Sequence, residues 1–391
     1  MSLSVAPLRT RVPAIEGGTP AFADRFRFIK PTLPALADVL ERYRPVYANG
    51  LITNADLVTK LEGEVAERLG VKHCVAVSSC TSGLMMVMRS LELSGEIIMP
   101  SFTFFATGHA AVWNSLTPVF ADCDPNTWTV RPEDVEAKIT PATSAILAVH
   151  LYGNPCDVDA LTAIARRNGL KLIFDAAHAF GSRYFSKPVG QFGDAEVFSL
   201  SPTKLLVAGE GGLVTTNDDI LAARVRAARN YGDLGAYDPE SIGLNARMSE
   251  FNAALALGGL PLMDEKVERH NQIASRYTSQ LSGIAGLAFQ HVDPHHTCTY
   301  KDYSIHVNAK LFGRTRDELA KALLAENIET KKYFYPPLHL QALYRKFHVP
   351  QRDRLNATDF VADGILSLPI YESLRDSTVD GIAMAIRSLA K

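Results

Sequence analysis

Short, almost wholly apolar runs recur along the first half of the chain, separated by stretches in which apolar residues return every three or four positions. Runs of four or five residues are typical of buried strands, and the second pattern is typical of helices that pack on one face. Their alternation predicts an α/β fold around a mostly parallel seven-stranded sheet. The predicted strands are residues 73–77, 96–99, 118–121, 145–149, 171–174, 196–200 and 213–216, and the predicted helices among them are 82–93, 105–113, 131–139 and 157–168.

A further amphipathic helix is predicted ahead of the first strand, at residues 55–69. Asn54 precedes it as a predicted N-cap, and Gly70 follows it as a predicted C-terminal stop. One face of this helix is apolar, and it carries Leu57, Leu61, Val65 and Leu69.

The pattern changes after Asn245. Residues 249–281 are predicted to be mostly helical, with a break near 258–261, where two glycines precede a proline. A small α+β domain is predicted beyond this stretch, with the boundary at residue 265, so that residues 1–265 form a large domain and 266–391 a small C-terminal one. Its predicted elements are a strand at 301–307, a helix at 317–326 and a closing helix at 379–389.

Composition narrows the class of protein. The 391 residues carry a net charge of −2, which does not favour nucleic acid or an anionic membrane as a partner. Apolar runs fall far short of the ~18 residues that span a bilayer. Five scattered cysteines without a CxxC pair argue against a zinc ribbon or a disulfide framework, so no metal is expected and a cytoplasmic location is predicted.

Candidate chemistry gathers where two predicted strands end. Asp175 follows the strand at 171–174, and Lys204 closes the motif FSLSPTK at 198–204, just before a glycine-rich turn. A lysine amine forms a Schiff base with an aldehyde, and a carboxylate keeps a pyridine nitrogen protonated, which are the two groups that pyridoxal phosphate (PLP) chemistry needs most. Taken singly, Asp175 reads equally well as a helix N-cap and Lys204 as a solvated loop lysine; their combination favours chemistry.

Two neighbouring segments complete the pattern. Thr81 and Ser82 open the helix predicted after the first strand, and such a helix start can bind phosphate, although ordinary capping explains the same residues. One of Phe102, Phe104 and Phe105 is expected to stack on a pyridine ring, with core packing as the alternative.

These motifs together resemble the DegT/DnrJ/EryC1/StrS family of PLP-dependent sugar aminotransferases, of fold type I. The resemblance runs through almost the whole chain. It rests on GLITN at 50–54, SCTS at 79–82, TFFAT at 103–107, VHLYG at 149–153, DAAH at 175–178, SPTK at 201–204, GEGG at 209–212, NYG at 230–232, NARMSE at 245–250 and PLH at 337–339.

The resemblance implies a role for each matching position. Lys204 matches the Schiff-base lysine and Asp175 the partner of the pyridine nitrogen, with pyridoxamine phosphate as the amino-carrying form of the cofactor. The remaining implied contacts are the phosphate for Thr81, Ser82 and Ser199, the stacking aromatic for Phe104, the ring hydroxyl for His178, and the substrate for Tyr333 and His339. Asn245 matches a residue that reaches the phosphate of the neighbouring subunit, which implies a homodimer with shared active sites.

Two positions depart from the family pattern. Cys80 replaces the more usual glycine, and His178 replaces glutamine. Within the family, the segments at 198–204, 243–247, 299–302 and 332–337 are most similar to enzymes that move an amino group from L-glutamate to a thymidine-diphosphate-linked 4-keto-6-deoxy sugar. That match implies deoxyaminosugar supply for an antibiotic or a surface glycan.

Three alternatives stay open on the sequence. A sugar 3-aminotransferase and a dehydratase share this scaffold, although the dehydratases carry histidine in place of Lys204. A PLP-binding regulator without turnover is the third, although no DNA-binding module is recognisable.

Overall fold

The computed structural model describes residues 12–233 and 235–390. In chain order, the strands are β1 (His73–Val77), β2 (Glu96–Pro100), β3 (Thr117–Ala121), β4 (Thr143–Val149), β5 (Lys171–Asp175), β6 (Arg183–Tyr184), β7 (Lys187–Pro188), β8 (Ala195–Ser199), β9 (Gly212–Thr216), β10 (Leu287–Phe289), β11 (Tyr303–Val307) and β12 (Ile365–Leu368). The helices are α1 (Leu36–Asn49), α2 (Asp56–Leu69), α3 (Cys80–Ser90), α4 (Phe105–Trp113), α5 (Pro132–Ala137), α6 (Val158–Asn168), α7 (Asp219–Ala228), α8 (Glu250–Gly259), α9 (Met263–Leu281), α10 (Ala309–Phe312), α11 (Arg316–Ala325), α12 (Asn356–Gly364) and α13 (Asp376–Leu389).

The predicted seven-stranded sheet is confirmed. Its strands lie in the order β1, β9, β8, β5, β4, β2, β3. All pairs from β8 through β3 are parallel, whereas β9 runs antiparallel to both of its neighbours. Each predicted strand end lies within two residues of the observed one, because nearly every position of these strands is buried and the apolar runs are therefore unbroken.

Helices cover both faces of the sheet, and alternate strand residues serve the two sides. In β1, Val75 and Val77 pack toward α3 and α7, while Cys74 and Ala76 pack toward α2 and α8. Among the described residues, no helix combines the length and the hydropathy that crossing a membrane requires.

The start of α2 differs from its prediction. Asn54 does not cap this helix: its backbone is left-handed, with φ of 53°, and its side-chain oxygen is buried without a partner. The cap is instead the buried carboxylate of Glu250, at the start of α8. It accepts hydrogen bonds from the backbone N–H groups of Ala55 at 2.7 Å, Leu57 at 2.6 Å and Val58 at 3.2 Å.

A second core lies around the three-stranded antiparallel sheet β10–β11–β12, with α9, α11 and α13 packed against it. The predicted break in the long helix is confirmed, since a 3₁₀ turn at Leu260–Leu262 separates α8 from α9. The N-terminal segment also joins this core: Phe26 packs there, and its N–H donates to the carbonyl of Asn327 at 2.8 Å. The boundary at residue 265 stays a prediction.

The predicted strand at 301–307 begins only at Tyr303, because the residues before it are held elsewhere. Residues 297–302, here called the connecting segment, run from the second core along the loops that follow β4 and β5. The Thr299 hydroxyl donates to the carbonyl of His178 at 2.6 Å, and the Lys301 N–H donates to the carbonyl of Tyr152 at 2.9 Å. Gly153 permits this approach, since a Cβ there would lie 1.8 Å from the Thr299 hydroxyl oxygen and φ is +95°.

Glu250→Ala should lower the free energy of unfolding by about 3 kcal/mol, because three N–H groups at the start of α2, those of Ala55, Leu57 and Val58, lose a charged acceptor. Urea denaturation at fixed protein concentration measures the loss. The matched control is Asn54→Gly, which suits the left-handed backbone and should cost no more than about 0.5 kcal/mol. Equal losses in the two variants would contradict the assignment of the cap.

Candidate active site

The predicted site residues meet at the edge of the sheet where the parallel strands end. Asp175 is the last residue of β5, Ser199 is the last of β8, and Lys204 follows in the next turn. Ligands of open α/β sheets bind at this edge. The topology therefore brings Lys204 and Asp175 together from positions 29 residues apart in the chain.

Asp175 is a buried carboxylate held by donors from three elements. The Thr107 hydroxyl in α4 donates to Oδ2 at 2.7 Å, and the Ala177 N–H donates to Oδ1 at 3.1 Å. The Cys80 thiol at the start of α3 lies 3.9 Å from Oδ1. Burial raises the pKa of Asp175, and the hydrogen bond from Thr107 opposes that rise.

Thr107 is itself oriented by a second hydroxyl. The Thr103 and Thr107 oxygens lie 2.9 Å apart, and since Thr107 gives its proton to Asp175, Thr103 is the donor between them. The carboxylate thus ends a short chain of hydrogen bonds that begins in the loop after β2.

The Lys204 side chain is half-buried beside this carboxylate. Burial and the nearby Lys301 ammonium lower the pKa of Lys204 from 10.5 to about 8, with Asp302, Cys80 and Asp175 acting in the opposite direction. At pH 8 roughly half of these amines are therefore neutral, against about 0.3 % for a lysine of ordinary pKa. A neutral amine is the form that attacks an aldehyde or accepts a proton.

His178 is buried and neutral. Its Nδ1 accepts the backbone N–H of Tyr152 at 3.1 Å, so its proton lies on Nε2. Burial, with Lys204 and Lys301 nearby, lowers the pKa of His178 well below 6.5. The ring stacks on Phe334 with centroids 6.1 Å apart, and its Nε2–H is a donor of fixed direction.

The expected phosphate turn lies between β1 and α3, but α3 begins two residues earlier than predicted. Ser79 is its N-cap, and a reciprocal capping box links the hydroxyls and N–H groups of Ser79 and Ser82 at 3.1 Å. The Ser82 hydroxyl therefore works within the turn, while Thr81 is partly exposed beside it. The Ser199 hydroxyl lies 3.3 Å from that of Ser201.

The three phenylalanines after β2 have different surroundings. Phe102 is buried in the core, as expected for at least one of them. Phe104 is 41 % exposed at the start of α4, with its ring centroid 3.9 Å from that of Phe105 and 5.9 Å from that of Phe334. Phe104 can therefore offer a ring face to a ligand, which Phe102 cannot.

The two predicted substrate residues differ in whether their side chains are accessible to a ligand. His339 is buried with both ring nitrogens engaged, Nδ1 by the Ser101 hydroxyl at 2.8 Å and Nε2 by Asp359 at 3.1 Å. The ring of Tyr333 is partly exposed, 5.4 Å from the Lys301 ammonium, and its carbonyl accepts the hydroxyl of Tyr152.

Asn245 is exposed and contacts none of the other predicted site side chains. Its side-chain oxygen accepts from Arg247 at 3.0 Å. It does not cap the helix that follows, because Ser249 does so by accepting the N–H of Asn252.

Four residues beside the site received no role from the sequence. All four stand in motifs that supported the family resemblance. The contacts of Thr107 and Tyr152 join them to residues 68 and 26 positions away, which local sequence does not report. The strand predicted at 301–307 concealed the position of Lys301 and Asp302.

The donor set suits PLP. A partly neutral amine, a buried carboxylate, an imidazole Nε2–H, a helix start and an accessible aromatic face meet at one edge of the sheet. A fold of this type with this site fits an enzyme that uses PLP.

Comparison with known proteins agrees. The sequence profile of the DegT/DnrJ/EryC1/StrS aminotransferase family matches residues 36–387. The chain belongs to this family, and it is a PLP-dependent aminotransferase of fold type I.

The chain is similar to three proteins whose names give a sugar nucleotide. It is 33 % identical to the dTDP-4-amino-4,6-dideoxy-D-glucose transaminase of Escherichia coli, over 90 % of this chain and 95 % of the relative. It is 35 % identical to the UDP-N-acetyl-3-dehydro-alpha-D-glucosamine 3-aminotransferase of Acidithiobacillus ferrooxidans, over 84 % and 87 %. A crystal structure of DesI with its TDP-sugar product matches with a TM-score of 0.89 and 38 % identity, over 95 % of this chain and 94 % of that one.

Thr107→Val should weaken cofactor binding about tenfold, because a hydrogen bond to a charged group is lost and the carboxyl holds its proton more readily. Titration of the apoprotein with PLP, read by absorbance, measures the affinity. Thr107→Ser keeps the hydroxyl and is the control. Equal affinities of the valine and serine variants would show that the hydroxyl does not support Asp175.

Proposed function

We propose that the protein moves an amino group from L-glutamate to a nucleotide-linked keto sugar, with dTDP-4-keto-6-deoxyglucose as the acceptor. The observation that carries the proposal is the partly neutral Lys204 amine beside the buried Asp175. The nucleotide is supported by the TDP-sugar product of DesI, and the sugar by the name of the Escherichia coli relative. A cytoplasmic location is part of the proposal, supported by the five buried, unpaired cysteines.

PLP supplies an electron sink for the carbanion formed when an amino acid loses its α-proton. Lys204 would hold the cofactor and would serve as the general base and acid for that proton. Asp175 would keep the ring nitrogen protonated. His178, whose proton the N–H of Tyr152 places on Nε2, would donate to the cofactor's ring hydroxyl oxygen.

The remaining predicted residues hold the two ends of the cofactor and the substrate. Thr81 and the N–H groups at the start of α3 would face the phosphate, with Ser199 nearby, while Ser82 shapes that turn. Phe104 would cover the ring. Tyr333 would contact the sugar nucleotide, and His339 links its own turn to the loop after β2 through the hydrogen bond with Ser101.

The choice of a 4-amino product is a separate part of the proposal. The 35 % identity to the Acidithiobacillus enzyme, named for 3-amination, leaves a sugar 3-aminotransferase as the second candidate. Lys204 argues against a dehydratase, whose relatives carry histidine there. Turnover with an amino donor separates an enzyme from a PLP-binding regulator.

We also propose a homodimer in which each site is completed by Asn245 of the other subunit. Asn245 is exposed, and large apolar side chains are exposed on the surface formed by α1, α8 and the turn after α1. Such clustering marks protein interfaces. The exposed fractions there are 67 % for Leu36, 47 % for Leu40, 76 % for Tyr47, 60 % for Leu51, 52 % for Ile52 and 43 % for Phe251.

With L-glutamate as donor, the protein should aminate dTDP-4-keto-6-deoxyglucose faster than UDP-linked 3-keto sugars, as read by product mass and by the position of the new amine. Lys204→Ala should abolish the reaction while the fold persists. Faster 3-amination would establish the second candidate, and no amination of any keto sugar would refute the proposed function.

Mixing two variants tests whether the sites are shared. Lys204→Ala and Asn245→Asp subunits are each expected to be inactive or weak alone. In a mixed dimer with shared sites, one site keeps both residues, so activity should partly return. If Asn245 serves its own chain, every site carries a lesion and mixing restores nothing. Subunit exchange is confirmed beforehand by native mass spectrometry with one variant isotopically labelled.

A further inference from the structure

Lys301 lines the same pocket as Lys204 and forms a buried ion pair with Asp302. The Lys301 ammonium lies 2.8 Å and 3.0 Å from the two carboxylate oxygens of Asp302. The two side chains are only 4 % and 1 % exposed. Removing two charges from water often costs more free energy than their attraction in the protein interior regains. Stability alone therefore does not explain why an ion pair is buried here.

The pair is rigidly placed. The Lys301 N–H is bonded to the Tyr152 carbonyl, the Thr299 hydroxyl to the His178 carbonyl, and the Lys301 ammonium lies over the ring of Tyr333. Both charges are thereby fixed to the same loops that carry His178.

Other groups around Lys204 are neutral or engaged. His178 is neutral, burial raises the pKa of the Cys80 thiol well above 9.0, and Asp175 accepts from Thr107 and Ala177. The titratable or charged groups that face Lys204 or line its pocket are Lys30, Cys80, Asp175, His178, His270, Lys301, Asp302, Tyr371 and Glu372.

Glu372 is directed elsewhere, because it accepts from the Thr32 hydroxyl at 2.7 Å and lies 3.8 Å from His270. Asp175 acts on Lys204 in the same direction as Asp302, so Lys301 and Asp302 are a further pair of opposite buried charges that act on this amine.

We propose that Lys301 and Asp302 are positioning residues that together set the protonation of the Lys204 amine, Lys301 driving the proton off and Asp302 limiting that effect. The inference rests on the proposed role of Lys204. Because the two charges oppose each other, their removal should move the Lys204 titration in opposite directions, which a purely structural ion pair would not do.

The test measures the titration of Lys204 directly. The full chain is freed of cofactor and treated with a trace of acetic anhydride over a range of pH, and acetylation of Lys204 is read by peptide mass spectrometry. Only the neutral amine reacts, so the midpoint of the profile reports the pKa of Lys204.

Lys301→Met should raise the midpoint by about 1 pH unit, and Asp302→Asn should lower it by a similar amount. The double variant should lie between the two single variants. The matched control is Lys138→Met, which breaks another buried lysine–carboxylate pair, that of Lys138 with Asp134, and should leave the midpoint unchanged.

Shifts in the same direction, or shifts no larger than that of the control, would overturn the proposal. If Lys301→Met does not fold because Asp302 is left unpaired, the other two variants decide: the midpoint must fall in Asp302→Asn and rise again in the double variant. The labelling needs neither cofactor nor sugar. The inference can therefore fail although transamination is observed, and it can hold although transamination is not observed.

Discussion

The buried carboxylate of Asp175 is the constraint on which the arrangement of the larger core depends. An ionised carboxyl without partners would cost several kcal/mol at this depth. Its donors are Thr107 in α4, Ala177 after β5 and Cys80 at the start of α3. These elements follow three different strands, so the carboxylate is tolerated only when the sheet is ordered as it is. The same condition aligns the groups that would hold a cofactor.

The strands could be predicted because their burial is nearly complete, and an unbroken apolar run carries that information locally. The start of α2 depends on a distant residue instead. The N-cap of α2 is Glu250, which lies 195 residues from the Ala55 N–H that it accepts, and no local pattern reports such a contact. Asn54 is of a residue type that often caps helices, but its left-handed backbone, with φ of 53°, does not place its side chain as the cap of α2.

The site shows the same division. Lys204, Asp175 and His178 could be grouped because strand ends of a parallel sheet share one edge. Sequence motifs could not show which polar groups are already engaged: the Ser82 hydroxyl closes a capping box, and His339 is held by Ser101 and Asp359. The motifs also could not show that residues 301–302 lie outside the strand that follows. The hydrogen bond of Lys301 to the loop after β4 joins residues that are far apart in the chain.

Protonation at the site is a consequence of how the two cores meet. The Tyr152 N–H fixes the tautomer of His178, while the Tyr152 carbonyl accepts from Lys301. The backbone of Tyr152 therefore fixes which ring nitrogen of His178 holds the proton, and it also holds Lys301 beside Lys204. If the connecting segment moved away, His178 would lose the bond from Thr299 and Lys204 would regain water and its proton. The lowered pKa of Lys204 is thus a property of the tertiary structure, and it cannot be assigned to Lys204 and its neighbours in sequence alone.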